Sequence, residues 1–199
     1  MHSQEEVQRL LFPLHPMMTR IVKGAWDDWR DMAPRIGGRF ARTSANVVYE
    51  RMIHRAIPEF DSMPGMFIMN GHQTVQFIFK NSVLFRFKKG DEHGLSRNYP
   101  TQRALAYNDQ NCDLFGGPGI SRVDVVYQLD QWASRITEIA VVARHDCNVL
   151  WSYSILEADG TSADVISITP KAPTPVESLV RPKVKKQPPE QEKTRGENS

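Results

Sequence analysis

The hydrophobic period of this chain changes once, and that change constrains the fold more than any other feature. Up to about residue 57, apolar side chains recur at three- and four-residue steps. Met18, Ile21, Val22, Ala25, Trp29 and Met32 form one such stripe, and Val47, Val48, Met52 and Ile53 form another. Residues spaced this way share one face of a helix, so the pattern predicts amphipathic helices. Further on the period drops to two. Val75, Phe77 and Phe79 alternate with Gln76, Ile78 and Lys80, and Val83, Phe85 and Phe87 alternate with Leu84, Arg86 and Lys88. Two alternating runs around the polar pair Asn81-Ser82 predict a β-hairpin whose phenylalanines face a core.

Punctuating residues set the boundaries. Ser3 with Glu6 three positions later is a capping-box pattern ahead of a short helix over 3–12, ended by Pro13 and Pro16. A second helix is expected over 16–32, broken by Pro34 and Gly37-Gly38. A third fits 43–57, capped by Thr43 or Ser44 and stopped by Pro58. After the apolar run 65–70 and the hairpin come a polar loop over 91–98, a helix over 100–111 and a glycine-rich connection over 112–121. Strands are expected at 122–129, about 135–144 and 147–156, the last two joined at Asp146, with a final edge strand over 163–168. This order predicts an α+β fold: N-terminal helices, then an antiparallel or mixed β-sheet with one further helix, the helices lying on one face. Strict βαβ alternation is absent, so a doubly wound parallel sheet is not expected.

A chain of 199 residues that is 40% hydrophobic suits one domain with an extension. The domain is expected over 1–169 and a disordered tail over 170–199. The tail contains six prolines and little apolar surface to offset its ordering entropy. Its seven basic residues against four glutamates make it +3, which leaves −1 for the remainder of a chain whose net charge is +2. A near-neutral domain can attract anions only where cations cluster. No apolar run is long enough for a membrane span. The opening MHSQEEVQRL lacks a secretory pattern, and Cys112 and Cys147 are expected to be reduced thiols, so a cytoplasmic setting is expected.

The basic residues do cluster. Arg35, Arg39, Arg42, Arg51 and Arg55 lie in a stretch whose acid is Glu50, and Arg51 and Arg55 are one helical turn apart. Arg86 and Lys88 share the polar side of the predicted hairpin, and Lys89, Arg97 and Arg103 follow. One surface built from Arg39, Arg42, Arg51, Arg55, Arg86, Lys88 and Arg97 would contact phosphates or an acidic protein surface. Trp26, Trp29 and Tyr99 would add stacking. The competing reading is a set of ordinary solvated faces answered by Asp27, Asp28, Asp31, Asp91 and Glu92.

Other candidates carry less. A hairpin presenting Gln76, Lys80, Arg86 and Lys88 is loosely similar to restriction-endonuclease-like cores, but those need carboxylates beside a lysine. No Asp or Glu lies between Asp61 and Asp91. His145-Asp146-Cys147 lacks the paired ligands of a zinc site and reads as a turn. Gly116-Gly117-Pro118-Gly119 lacks the lysine of a phosphate-binding loop. His54 and His72 have no visible partner in the sequence. No catalytic residue, metal site or cofactor is expected. The basic run Arg181 to Lys186 in the tail would support nucleic-acid or acidic-partner binding, or serve as a solubilising extension.

The stretches GGRFARTSANVVYERM (37–52), FRFKKGDEHGLSRNYPTQRALAYNDQ (85–110) and VDVVYQLD (123–130) together resemble a set of uncharacterised small bacterial proteins, some associated with prophages and mobile elements. The likeness spans about residues 35–155. It implies a bacterial cytoplasmic setting and mobile-element, plasmid or phage-defence biology, and attaches no activity to any residue. The expectation is a non-enzymatic protein that binds nucleic acid or a nucleic-acid-handling protein. The alternatives are a toxin-like or restriction-like metal-dependent nuclease and a protein-interaction inhibitor or antitoxin.

Overall fold

A computed structural model describes residues 2–37, 40–71, 74–91, 93–96, 102–110, 119–146 and 148–156. The expected edge strand over 163–168 and the tail over 170–199 lie outside the described residues. So do Arg39, His72, Arg97, Tyr99, Cys112, Cys147 and the 116–118 glycine-rich run.

Three helices open the chain. The first, α1 (Gln4–Leu11), carries the predicted capping box: the Ser3 hydroxyl accepts from the Glu6 amide, and the Glu6 carboxylate accepts from the Ser3 amide. A single 3-10 turn over Phe12–Leu14 links it to α2 (His15–Ile36), with Pro16 in the first turn, where its missing N–H costs nothing. The third, α3, spans Ala41–Asp61. Both long helices overrun their expected ends by passing through a proline. Pro34 and Pro58 lie on exposed positions of their helices, as do Arg30 and His54 four residues earlier. The carbonyls freed by each proline therefore face solvent, which lowers the usual penalty for a proline inside a helix. Gly37, with φ of 63°, ends α2 in a left-handed cap whose N–H donates to the Ala33 carbonyl. Neither Thr43 nor Ser44 caps α3. Phe40 holds the cap position, and the Ser44 hydroxyl instead donates to the Ala41 carbonyl inside the first turn.

The rest is one mixed six-stranded sheet in the order β1 (Met66–Gly71), β2 (Thr74–Phe79), β3 (Val83–Lys89), β4 (Ser121–Leu129), β5 (Ile136–His145), β6 (Asn148–Ser154). Neighbours are antiparallel except β3 and β4. That parallel pair needs a crossover, and α4 (Gln102–Asn108) lies in it. The β2–β3 turn centres on Lys80 and Asn81 rather than on Asn81-Ser82. Both have positive φ, and the Ser82 amide donates to the Phe79 carbonyl. Two consecutive left-handed residues match the right-handed strand twist of a hairpin.

The two faces of the sheet differ. Phe77, Phe79, Phe85, Phe87, Val123, Val125, Ile139 and Val141 face the N-terminal helices and merge with Met18, Val22, Met52 and Phe60 in one core. The Phe60 ring meets Phe77 at 5.0 Å and Phe85 at 5.6 Å between centroids. The opposite face carries Leu84, Arg86, Arg122, Asp124 and Arg144, and around these residues it is covered rather than solvated. Tyr107 of α4 lies on it, its hydroxyl donating to the Val123 carbonyl at 2.7 Å. The expectation that the helices lie on one face is therefore corrected: α4 takes the other. A chain returning from β3 to a parallel β4 must cross a face of the sheet.

Candidate functional site

The basic residues singled out in the sequence divide among three environments. The first is the connection between α2 and α3. Arg35 and Arg42 are exposed on either side of the turn. Beside them Ile36 is 48% and Phe40 67% exposed, large apolar side chains left in water. Among the described residues neither arginine forms an ion pair. In sequence the nearest acids are Asp31 and Glu50.

The second environment lies between the bodies of α2 and α3. Arg51 Nε donates to Asp28 Oδ2 at 2.8 Å, and Arg55 grips the same carboxylate with two hydrogen bonds of 3.0 and 2.8 Å. The hydrogen bonds from Arg55, then the one from Arg51, hold the Asp28 carboxyl down to about 2. Gly24 makes room for this: a Cβ there would lie 2.9 Å from Arg55 Nη1. Both arginines are therefore engaged in tying the helices together.

The third environment is the covered sheet face. Arg86, expected on a solvated hairpin face, is 4% exposed. Its Nε donates to Asp124 Oδ1 at 2.6 Å, and its guanidinium stacks on the Tyr107 ring 3.6 Å from the centroid. Asp124 also accepts from the Ser96 hydroxyl at 3.2 Å and lies 4.0 Å from Arg144 Nε. Arg144 Nε donates to Asn108 Oδ1 at 2.9 Å, and Arg86 Nη2 donates to the same oxygen at 3.4 Å. Gln110 closes the end of the cluster. Its amide donates to the carbonyls of Arg122 and Arg144 at 2.8 and 2.9 Å, while its oxygen accepts from the Arg122 amide at 3.2 Å. Arg122 Nη2 donates to the Asp109 carbonyl. Lys88, two residues beyond Arg86, is half-buried, with Nζ 5.6 Å from the centroid of the Tyr49 ring.

Asp124, Asn108, Ser96, Gln110 and Arg144 were not singled out from the sequence. The available signal was a lone arginine in VLFRFKK and a lone aspartate in SRVDVVYQL, charges inside otherwise apolar strands. Such residues are buried in pairs or not at all. Among the described residues no group of three or more His, Cys, Asp or Glu is placed to hold a metal ion. The carboxylate on this face is bound by guanidiniums, so the described residues give the nuclease reading no ligand set. Among them no helix is long and apolar enough to cross a membrane.

Comparison with known protein families, with curated proteins and with solved structures finds no match to this chain.

Proposed function

We propose that the protein binds nucleic acid through the α2–α3 connection, without catalysis. One observation carries this reading: Arg35 and Arg42, both exposed and without an ion pair among the described residues, flank the exposed Phe40 and Ile36. Solvated guanidiniums attract phosphates through counterion release. A neighbouring exposed ring offers a face on which a base can stack. Arg51, Arg55 and Arg86 stand outside this surface because each is already bound to a carboxylate. They shape the scaffold rather than meet the partner.

Mobility shifts with single- and double-stranded DNA and with RNA, at about 50 and 200 mM salt, test the proposal. The double substitution Arg35→Glu, Arg42→Glu is expected to weaken binding at low salt. It should also flatten the dependence of log K on log salt by about 1 for each phosphate that the arginines no longer neutralise. Phe40→Ala is expected to cost about 1–3 kcal/mol with single strands if a base stacks there. Equal binding by wild type and the double variant overturns the assignment. Absence of any binding at low salt turns the reading to an acidic protein surface.

A further inference from the structure

Strand β1 forms one edge of the sheet, and no described strand lies beyond it. The Lys80 amide donates to the Gly65 carbonyl at 2.7 Å, and Met66 to Gly71 continue the same antiparallel register against Phe79 to Thr74. In such a ladder, residues that exchange main-chain bonds with the neighbour alternate with residues that do not. Phe67, Met69 and Gly71 therefore bond to β2, while Met66, Ile68 and Asn70 turn their main-chain groups out of the sheet. The Met66 amide is taken by the Met63 carbonyl at 3.2 Å. The Met66 carbonyl and both main-chain groups of Ile68 and Asn70 have no partner among the described residues. Edges of this kind are ordinarily blunted by a charge, a proline or a bulge. The sequence of β1 is MFIMNG, without charge or proline, and it pairs with β2 without a register shift. Phe67 is 55% exposed, although it stands opposite Ile78, which packs with Leu84, Tyr107 and Met69. One edge of the sheet thus combines unused hydrogen-bonding groups with a large apolar side chain in water.

We propose that β1 pairs antiparallel with β1 of a second copy, about a two-fold axis at Ile68, joining two sheets into one. Ile68 and the partner's Ile68 then exchange both main-chain bonds, and each Asn70 amide donates to the carbonyl of the partner's Met66. Phe67 comes opposite the partner's Met69 at the close spacing of a non-bonded pair, where a thioether against a ring edge is favourable. Charge selects a second copy as the occupant. The strand itself is neutral, and the charged residues beside it, Asp61 at the end of α3 and Lys80 next to Gly65, both stand at its Met66 end. The two-fold sets that end against the partner's Gly71 end, so neither charge meets its own copy. Two strands of this length make an interface at the low end of the usual size range, so the dimer should be reversible, with a Kd on the order of 10 μM. The edge shares no residue with the α2–α3 connection, so the dimer stands whether or not that connection binds nucleic acid.

Sedimentation velocity on the full chain from about 1 to 200 μM tests it, a range that brackets a Kd of that order. The wild type should pass from monomer to dimer. Phe67→Lys, which places a charge on the edge, and Asn70→Pro, which removes an outward N–H, should each stay monomeric throughout. Both positions are exposed, so both variants should keep the wild-type Tm at 1 μM to within about 2 °C. A second measurement reads the register. Phe67→Cys protein mixed with Met69→Cys protein should form the mixed disulfide, identified by peptide mass spectrometry, several-fold faster than either forms a disulfide with itself. Positions 67 and 69 face each other across the two-fold, whereas each lies diagonal to its own copy, about 7–8 Å away and beyond disulfide reach. A wild type that stays monomeric at 200 μM, a dimer that survives both Phe67→Lys and Asn70→Pro, or no preference for the mixed disulfide overturns the pairing.

Discussion

The two faces of the sheet are both buried at its centre and held together by different physics. Toward α1, α2 and α3, the strands present phenylalanine, valine and isoleucine, and Phe60 reaches in from α3 to meet three rings. Most of these side chains have no hydrogen-bonding group, so their burial scales with area removed from water. Toward α4 the same strands present Arg86, Arg122, Asp124 and Arg144, and each polar atom must find a partner at a particular angle. The first face accepts any shape that fills space. The second specifies which strand lies beside which, since Arg86 meets Asp124 only when β3 and β4 are parallel and in this register.

That difference also separates what the sequence shows from what it hides. Period-two alternation gives away both faces of β2 and β3, and the apolar face is identified correctly because phenylalanine at alternate positions has few other uses. The polar face is misread as solvated because alternation reports which residues share a side, not what covers it. The cover comes from Ser96, Tyr107, Asn108 and Gln110, in the crossover between β3 and β4. None of these is near Arg86 in sequence. The same holds for Arg51 and Arg55. Their one-turn spacing is legible, but their partner Asp28 lies on the preceding helix. At the α2–α3 connection, by contrast, Arg35 and Arg42 remain in the open. No covering element intervenes among the described residues, and local composition is informative there.

The largest expected effect is on the apolar face. Phe60→Ala removes a fully buried ring that touches Phe77, Phe85 and Phe87. It should cost about 5 kcal/mol, the upper end for such truncations, because a cluster of flat rings cannot close over the void. Urea unfolding followed by tryptophan fluorescence measures it. A loss below about 1 kcal/mol would show that this face can repack, and the contrast with the polar face would fail.

Asp124→Asn follows, at about 3 kcal/mol, because it leaves Arg86 and Arg144 buried without their carboxylate. The double substitution Arg86→Met, Asp124→Leu should recover much of that loss, since replacing a buried ion pair by apolar side chains of similar size is often neutral. The pair of measurements sharpens the comparison. If the double variant is stable but unfolds with a broadened transition, the ion pair contributes specificity of register more than stability. If the double variant is as unstable as Asp124→Asn, the polar face contributes stability in its own right.

The smallest effect concerns a titratable contact on the helical side. His15 Nε2 lies 3.2 Å from the Tyr153 hydroxyl, and the two rings are 5.4 Å apart between centroids. Burial lowers the His15 imidazole from 6.5 to about 4, so the folded protein holds it neutral where the unfolded chain would already be protonated. The unfolded state therefore binds more protons across this window, and stability must rise with pH through it. Stability should be constant above about pH 6.5, fall as pH drops toward 4, and lose about 1 kcal/mol from this group between pH 7 and 5 after allowance for partial exposure. His15→Phe should remove that slope. Tyr153→Phe should leave it nearly intact, because burial rather than the hydroxyl lowers the imidazole. Urea midpoints at pH 7, 6 and 5 for the three proteins decide it. The arginine face has no group that changes charge there among Arg86, Arg122 and Arg144, since guanidiniums stay protonated throughout. A slope that survives His15→Phe therefore places the acid sensitivity elsewhere and removes this asymmetry between the faces.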